Sequence, residues 1–505
     1  MVRKKINPNR DRDFVNGLDL TKEKVYPKFL KTIELEPFRH IKSLKVNFNH
    51  PISVISGTNR SGKSTILMAI ACSHFNFIKR NSQNGNLERH TWGSLMQFTN
   101  RDIQTEDWTY HITYKLGDKT ERKRGQRKKT TKKWNGIGKK ESQFDFRDVV
   151  FIDLDRISPA RNFSKVIYNK SKKSIGTQIS PSNSALIEEY ISYILEETFT
   201  LNKLATYQDK DIFKYKNVNE YSSYNAATGE EVLAKIIIDI VEAKKDSLIL
   251  IDEIEVGLHP KVQRKLIEVL YNISQNDNKQ FILTSHSQTI LSSLPDISRV
   301  FLEKDYHGNF KCIQNISVNA ALSKMDSQSY PLIDLYCEDD IAKKIISKIL
   351  QNLQTTHNLT NVKNLVNIIV SGSAEKTHNY FIVHKETYDY KKIKTGFACI
   401  LDGDMRNNYA LDDNLHFLYS SKSPEYFLTK EYLNVNPNST LDYHLKNSDN
   451  HCLFDKMNEL NIGNTKDEVF ELCWSVFKDT PDGIIYINEL ENFIIQMLQK
   501  YSPHL

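Results

Sequence analysis

The chain has 505 residues, a length that predicts two or three domains. Its formal net charge of +7 is modest, and its six cysteines are scattered without a Cys-x-x-Cys pair, which suits a reducing cytoplasm and argues against structural zinc. No apolar stretch approaches the length of a membrane span, and the N-terminus lacks an apolar core, so we expect neither a membrane protein nor a signal peptide. We therefore predict a soluble, cytoplasmic protein with no membrane partner.

The N-terminal region begins with a polar lead-in over residues 1–30. The segment from Lys31 to Asn49 carries regularly spaced apolar residues that predict an opening β-hairpin. A second apolar run, from Ile52 to Ile55, predicts a buried strand.

A complete phosphate-binding P-loop follows this strand and precedes a helix-like apolar stretch. Its residues are Gly57, Thr58, Asn59, Arg60, Ser61, Gly62, Lys63, Ser64 and Thr65. Backbone N–H groups of such a loop and the N-terminus of the next helix bind phosphates, Lys63 reaches the same phosphates, and Ser64 offers its hydroxyl to Mg²⁺. A fortuitous glycine-rich turn is the alternative, but the strand–loop–helix context disfavours it. The motif predicts that the chain binds a nucleoside triphosphate, ATP, together with Mg²⁺.

The region after the P-loop half carries a basic stretch and a helical pattern. Residues 121–140 contain ten lysines and arginines, and Trp134, Gly136 and Gly138 interrupt the stretch. Such a stretch can neutralise nucleic-acid phosphates, or it can be a solvated hairpin tip. Residues 155–225 follow, and Ser184 to Leu204 predicts a helix that offers a partner surface.

Two further strands complete a candidate ATP site. Leu248 to Ile251 is a continuous apolar run typical of a buried parallel strand, and it ends in Asp252 and Glu253. Acids at the carboxyl end of such a strand lie where ligands bind, so Asp252 is predicted to hold Mg²⁺ and Glu253 to polarise the attacking water. Phe281 to Ser287 is another predicted strand, and its His286 can sense the γ-phosphate, although a lone histidine is more often structural.

These motifs resemble those of ABC-type ATPases, the group that contains SMC-like heads and the OLD (overcoming lysogenization defect) family. The resemblance implies that the loop before Val232 is a signature loop, with Gly229 capping the ATP of a second protomer. Ala227 stands where the family usually has a serine, which puts fast turnover in doubt. The resemblance also implies a Q-loop glutamine, for which Gln97 is the candidate; an exposed polar residue is the alternative.

A second chemical region begins near residue 331. Three short apolar strands alternate with helix-like runs, and two of them end in acids: Glu338 after the first, Asp402 and Asp404 after the third. Such alternation predicts a small parallel sheet, which brings the acids to one edge. Carboxylates packed together favour a shared Mg²⁺ or Mn²⁺, and such ions can activate water for phosphodiester cleavage.

This arrangement is similar to a Toprim domain, the metal-binding fold of topoisomerases, primases and OLD-family nucleases. The resemblance implies that Glu338, Asp402 and Asp404 are metal ligands and catalytic residues, with Asp340 a weaker member. The chain departs from the pattern at Asp339, where a glycine is usual, and at Ala342, where a further acid is expected. Glu425 is a possible extra ligand, or else an ordinary helix N-terminal glutamate. The Asp-Gly-Asp segment alone is also common in turns.

The predicted fold class is α/β: an ABC-type ATPase head with a mixed sheet and a helical insert, then a small parallel-sheet Toprim-like domain and a C-terminal helical region. The predicted boundaries are 1–328 for the head, with its basic and helical insert at about 115–225, then 329–435 and 436–505. The absence of a long heptad run argues against a long-armed SMC protein.

Two functions are consistent with these motifs. One is an ATP-regulated, metal-dependent DNA endonuclease of the OLD type, similar to Gabija-like or retron-associated anti-phage effectors. The other is an ATPase sensor or scaffold whose Toprim-like region is inert. The expected partners are DNA, a second copy bound through the ATPase heads, and a further defence component, which can be a nuclease, a reverse transcriptase or a non-coding nucleic acid.

Overall fold

A computed structural model describes residues 3–502 apart from 81–86, 100, 103, 136–141, 181, 208–209, 305–307, 327–329, 357–361 and 392–393. The chain forms two compact units, Met1–Ile316 and Ser317–Leu505. Within the described part of the chain, every helix is too short or too polar to cross a membrane.

The first unit is built from strands and helices that alternate along the chain. They are α1 (Pro8–Asn16), β1 (Lys28–Leu35), β2 (Leu44–Asn47), β3 (Ile52–Gly57), α2 (Lys63–Cys72), β4 (Phe77–Arg80), β5 (Leu87–Arg89), α3 (Trp92–Leu95), β6 (Trp108–Leu116), β7 (Lys119–Arg127), β8 (Trp134–Asn135), β9 (Val149–Ile152), α4 (Lys165–Lys172), β10 (Thr177–Gln178), α5 (Ser184–Leu195), β11 (Thr200–Tyr207), β12 (Lys210–Lys216), β13 (Glu220–Ser222), α6 (Thr228–Glu242), β14 (Leu248–Ile251), α7 (Pro260–Asp277), β15 (Gln280–Thr284), α8 (Gln288–Ser292), β16 (Arg299–Lys304) and β17 (Phe310–Gln314).

An eight-stranded mixed sheet is the centre of this unit, in the order β17-β16-β3-β15-β14-β9-β4-β5. Its inner strands are parallel, and only β17 and β5 pair antiparallel at the two edges. All residues of β14 are fully buried, as the continuous apolar run predicts. The predicted α/β class with a mixed sheet is confirmed.

The predicted helical insert is wrong in its secondary structure. The predicted helix from Ser184 ends at Leu195, where Glu196 adopts a left-handed φ of 61°, and the chain continues as β11. β10 to β13 form a four-stranded antiparallel sheet, and β6 and β7 belong to a five-stranded antiparallel sheet, β2-β1-β6-β7-β8. Cross-strand pairing over long stretches outweighs the local helical pattern here.

Only part of the basic stretch lies on β7, which contains Arg122, Lys123, Arg124 and Arg127, while Lys128, Lys129, Lys132 and Lys133 lie in the turn that follows this strand. Arg122 donates a 2.6 Å hydrogen bond to Glu34 on β1, the next strand but one. Lys139 and Lys140 lie outside the described residues. Part of the positive charge predicted for nucleic acid is therefore offset by an acid of the same sheet.

The polar lead-in contains structure that its composition does not predict. α1 packs on α7, and the buried Asn272 of α7 donates to Asp11 at 2.8 Å and to the carbonyl of Lys4 at 3.2 Å. Arg3 pairs with Asp277 at 3.1 Å. A few buried polar contacts therefore hold the N-terminal segment in place.

The second unit contains a small sheet surrounded by helices. Its elements are α9 (Val318–Asp326), β18 (Ile333–Cys337), α10 (Asp340–Thr356), α11 (Val362–Leu365), β19 (Val366–Val370), α12 (Ala374–Thr387), β20 (Gly396–Leu401), β21 (Leu415–Phe417), α13 (Pro424–Val435), α14 (Ser439–Asn447), α15 (Leu453–Glu459), α16 (Lys466–Phe477) and α17 (Pro481–Tyr501). The sheet order is β19-β18-β20-β21, and each pair is parallel. The residues that follow these strands therefore lie at one sheet edge.

The unit boundaries differ from the predicted domain boundaries. α9 belongs with the second unit, since Asn319 donates to the carbonyl of Pro331 at 2.8 Å and Ser323 bonds to Tyr330. The C-terminal helices share the core of β18 and α10, to which Trp474 and Phe493 contribute buried rings. The predicted C-terminal region is therefore part of the same compact unit and not a separate layer.

Candidate functional site

The P-loop joins β3 to α2 through a backbone that only glycine accommodates at its first position. Gly57 has a φ of 147°, and a Cβ there would lie 2.3 Å from the carbonyl oxygen of Leu302. Gly62 has a φ of 94° and immediately precedes α2. The strand, loop and helix predicted around the motif are all present.

Lys63 is folded back onto this loop. Its ammonium donates to the carbonyls of Gly57 at 2.9 Å and Thr58 at 3.0 Å, and the side chain is almost fully buried. Burial lowers its pKa, although nearby acids, Glu253 first among them, oppose that shift. A bound phosphate can take over these hydrogen bonds with a stronger, charge-assisted partner.

Several predicted residues line one cavity of about 390 Å³ in front of the P-loop. Its lining consists of His40, Asn59, Arg60, Ser61, Gly62, Lys63, Ser64, Thr65, Glu253, His286 and Lys304. His40 and Lys304 come from the turn after β1 and the end of β16, so sequence spacing does not reveal them. Gln97 and Gly229 do not line this cavity, and Gln97 is exposed.

The acid pair at the end of β14 is held by Thr284 of the neighbouring strand. The Thr284 hydroxyl donates to Asp252 at 2.6 Å and accepts from the backbone N–H of Glu253 at 2.7 Å. Glu253 has a φ of 46°, a left-handed conformation that is uncommon for a non-glycine residue. Burial, and then the charges of Asp252 and Glu255, raise the pKa of Glu253, which favours its action as a proton acceptor.

Arg156 supports the same acid from the other side. It is buried, and its guanidinium donates to the carbonyls of Glu253 at 2.6 Å and Asp153 at 2.7 Å, while its Nε has no partner among the described residues. Lys235 of α6 donates to the carbonyl of Arg156 at 3.0 Å. Arg156 therefore links α6, the helix that contains Gly229, to the residues at the end of β14. No sequence motif identified it.

His286 follows β15, one strand from the P-loop. Its backbone N–H donates to Glu255 at 2.6 Å, so an acid of the loop between β14 and α7 fixes its position. Burial and the charge of Lys63 lower the pKa of His286, so the ring is neutral near pH 7. A neutral imidazole beside Lys63 can donate to, or accept from, a γ-phosphate or its water.

The signature segment contacts the loop between β14 and α7 in the same chain. A Cβ at Gly229 would lie 2.9 Å from the carbonyl oxygen of Gly257. Glu230 accepts from the backbone N–H of Ala227 at 2.9 Å and caps the start of α6.

A second group of acids gathers at the carboxyl edge of the small parallel sheet. Glu338, which follows β18, accepts a 2.7 Å hydrogen bond from the backbone N–H of Asp402, which follows β20. Gly403 lets the chain turn tightly here, because a Cβ would lie 2.1 Å from the carbonyl oxygen of Ser420. Oxygens of Asp402, Asp404 and Glu425 are buried without hydrogen-bond partners in the described structure.

The environment of these acids disfavours their charged forms. Burial, and then the neighbouring carboxylates of Glu338, Asp339 and Glu425, raise the pKa of Asp402 to about 9. Burial also raises the pKa values of Glu338 and Glu425. A hard cation fits this donor set chemically, because it would neutralise the charges and bind the orphaned oxygens. Across the described residues, however, no three His, Cys, Asp or Glu side chains form a preformed metal cage.

The structure assigns different places to the two acids that follow Glu338. Asp340, the predicted weaker ligand, is exposed at the first position of α10. Asp339, which departs from the expected glycine, caps this helix by accepting from the N–H of Ala342 at 2.8 Å, and its charge acts on Glu338 and Asp402. His451 lies 3.6 Å from Glu425, and no sequence motif predicts that it lies near the acids.

Two family models match the first unit. Residues 29–107 match a model described as "AAA ATPase domain", and residues 113–292 match "AAA domain, putative AbiEii toxin, Type IV TA system". The chain is 30% identical over 142 residues to "Retron Vc95 probable ATPase" from Vibrio cholerae serotype O1 biovar El Tor, a match that covers 24% of this chain and 27% of the relative. The chain thus spans about a quarter of that relative's length.

Solved structures give weaker similarity. The SMC head domain from Thermotoga maritima is 13% identical with a TM-score of 0.33, over 56% of this chain and 98% of that one. The recombination mediator protein RecF with ATP is 15% identical with a TM-score of 0.34, over 57% of this chain and 98% of that one. These scores are too low to argue a shared fold. Because the P-loop, the acid strand and both family models agree, residues 29–107 and 113–292 carry an ATPase domain of the AAA type.

Proposed function

We propose that this chain is an ATP-regulated, metal-dependent DNA endonuclease of the OLD type that acts as an effector of anti-phage defence. The observation that carries the nuclease is the contact between Glu338 and the backbone of Asp402, with orphaned oxygens on Asp402 and Asp404 beside it. Buried acids with unused oxygens are costly unless a cation occupies the site. The similarity to a retron ATPase supports the defence role.

In this proposal the ATPase domain binds ATP through the P-loop. Gly57, Asn59, Gly62, Lys63 and Thr65 hold the phosphates, Ser64 and Asp252 hold Mg²⁺, Glu253 polarises the attacking water, and His286 senses the γ-phosphate. Gly229 of a second copy would complete the site, so that ATP holds two heads together. In the same proposal Gln97 is the Q-loop glutamine, although it is exposed and does not line the cavity in the single chain.

At the acidic site, Glu338, Asp402 and Asp404 would hold Mg²⁺ or Mn²⁺, which supplies an activated water for phosphodiester cleavage. Asp340 is a more distant candidate ligand because it is exposed. The buried carboxylates orient the site, and Asp402 must release its proton before it can ligate, given its raised pKa. Nucleotide state would control access of DNA to this site.

The second candidate is an ATPase sensor or scaffold that controls a separate nuclease, reverse transcriptase or non-coding nucleic acid. Two observations favour it: the acids form no preformed metal cage within the described residues, and Ala227 stands at the serine position of the signature loop. In this case ATP binding persists while the acidic site does no chemistry.

Cleavage of plasmid and single-stranded DNA with Mg²⁺ or Mn²⁺, with and without ATP, separates the two. For the nuclease, we expect cutting that Asp402→Ala/Asp404→Ala abolishes and an ATP effect that Lys63→Ala abolishes. Asp389→Ala, at an exposed acid of the same unit, is the matched control and should cut normally. Two outcomes would favour the scaffold. One is that the double variant still cuts DNA, and the other is that the wild type hydrolyses ATP but does not cut DNA.

A further inference from the structure

Two partly exposed aromatic rings lie together in the second unit. The centroids of His378, on α12, and Tyr409, in the segment after Asp404, are 4.5 Å apart, with 34° between the ring planes. Phe381 lies behind His378, with its centroid 6.1 Å away, and is fully buried. The pair therefore packs against the core and remains partly exposed to solvent.

This pair lies at the same sheet edge as the acids. The loop that leads into α12 is bonded to the first acid, since the N–H of Gly372 donates to the carbonyl of Glu338 at 2.7 Å. Tyr409 follows the Asp402–Asp404 turn in the chain, and the charge of Glu338 reaches its hydroxyl. An aromatic surface thus adjoins the carboxylates of the proposed metal site.

Neither side chain makes a hydrogen bond to the described residues. The Tyr409 hydroxyl makes no hydrogen bond to the described residues, in contrast to Tyr336, which bonds to His384 at 3.0 Å. Burial lowers the pKa of His378, so the ring is neutral near pH 7 and offers a π-face rather than a charge. Partly exposed aromatic rings can stack on nucleobases, whatever the base.

We propose that His378 and Tyr409 form a stacking surface for an unpaired nucleobase, so that the acidic site takes single-stranded nucleic acid. A base within a duplex already stacks on its neighbours, whereas an unpaired base can turn out of the stack, contact the two rings and place its phosphate beside Glu338 and Asp402. The inference deepens the proposed nuclease function and rests on it for the role of the acids.

The test is binding of a short thymidine oligonucleotide and of an abasic strand of equal length by full-length protein, measured by fluorescence anisotropy. Ca²⁺ replaces Mg²⁺ so that the strands can bind without being cleaved during the measurement. Wild type should bind the thymidine strand more tightly, and Tyr409→Leu should weaken that binding by about tenfold. Wild type and Tyr409→Leu should bind the abasic strand equally well, because that strand has no base to stack on the ring.

Matched variants separate stacking from folding. Tyr409→Phe keeps the ring and should bind like wild type, His378→Leu should resemble Tyr409→Leu, and Tyr390→Leu, at a tyrosine that is 87% exposed elsewhere in the unit, should have no effect. Equal affinity of wild type and Tyr409→Leu for the thymidine strand would overturn the inference. Because the readout is binding, an inactive nuclease would leave a positive result intact, and an active nuclease would not rescue a negative one.

Discussion

At the scale of single residues, Arg156 shows how a buried cation can position an acid although it does not itself line the P-loop cavity. Its two hydrogen bonds end on the backbone carbonyls of Asp153 and Glu253, and Glu253 has the left-handed φ of 46°. An uncommon backbone conformation persists only where the surroundings hold it. We therefore infer that Arg156 positions Glu253 for the proposed ATP hydrolysis.

We expect Arg156→Gln to lower the kcat of ATP hydrolysis by about tenfold or more, with little change in the KM for ATP, because the acid loses its support while the phosphate site stays intact. Steady-state hydrolysis assays check this, with nucleotide binding measured in parallel. Arg161→Gln, at an exposed arginine of the next turn, is the control. A variant that loses ATP binding along with turnover would show that Arg156 maintains the fold of the whole pocket instead.

Asp402 makes the stability of the metal-free protein depend on pH. Its pKa of about 9 in the folded chain lies above the value near 4 of an unfolded aspartate, so the folded state binds the extra proton. The contribution of protonated Asp402 to the free energy of unfolding is fully present below about pH 4. It is lost as the pH rises toward 9, by no more than about 1.4 kcal/mol for each pH unit.

Thermal unfolding in a chelator, from pH 5 to pH 9, should therefore show a decline that Asp402→Asn flattens, since an amide cannot ionise. Mg²⁺ or Mn²⁺ should reverse part of the decline in wild type and not in the variant. Asp389→Asn, at an exposed acid, should follow the wild type. A wild-type profile that rises over this range would contradict the assignment.

At the scale of elements, one buried amide joins the N-terminal segment to α5 and α7. Asn272 is 1% exposed; it donates to Asp11 and to the carbonyl of Lys4, and it accepts from the Tyr190 hydroxyl at 2.9 Å. It thereby connects α1, α5 and α7. Removal of a buried amide with several partners lowers the free energy of unfolding, because each partner loses its hydrogen bond.

We expect Asn272→Ala to lower the free energy of unfolding by about 2 kcal/mol and to expose the first sixteen residues to protease. Thermal unfolding and limited proteolysis measure the two effects. Asn9→Ala, on the exposed side of α1, should change neither. Protection of the segment in Asn272→Ala would mean that apolar contacts such as that of Val15 hold α1 without the amide.

At the scale of the whole molecule, the chain divides into two units with separate cores. The second core takes rings from α16 and α17, including Trp474, Phe477 and Tyr486. A Cβ at Gly396 of β20 would lie 2.4 Å from the ring of Tyr501, so the last helix packs directly on the sheet. The small parallel sheet therefore depends on the C-terminal helices.

Residues 317–505 should accordingly fold alone with a cooperative thermal transition, whereas residues 317–435 should not, because the sheet would expose the apolar face that α16 and α17 cover. Circular dichroism during heating distinguishes them. Cooperative unfolding of the shorter fragment would instead support the boundary that sequence patterning predicts near residue 435.

What the sequence alone determined is local: the P-loop, the apolar strands that end in Asp252 and Glu338, and the α/β class follow from patterns within a few residues. Gly57 is an example, since its backbone requirement is visible in the motif itself. The tertiary structure alone decided contacts between distant segments, such as Thr284 on Asp252, Arg156 on Glu253 and His378 on Tyr409. It also decided that β11 is a strand, because pairing with β12 outweighs a helical pattern that stays ambiguous in isolation. Local patterns specify elements, but the energy of a buried polar or aromatic contact depends on which elements meet.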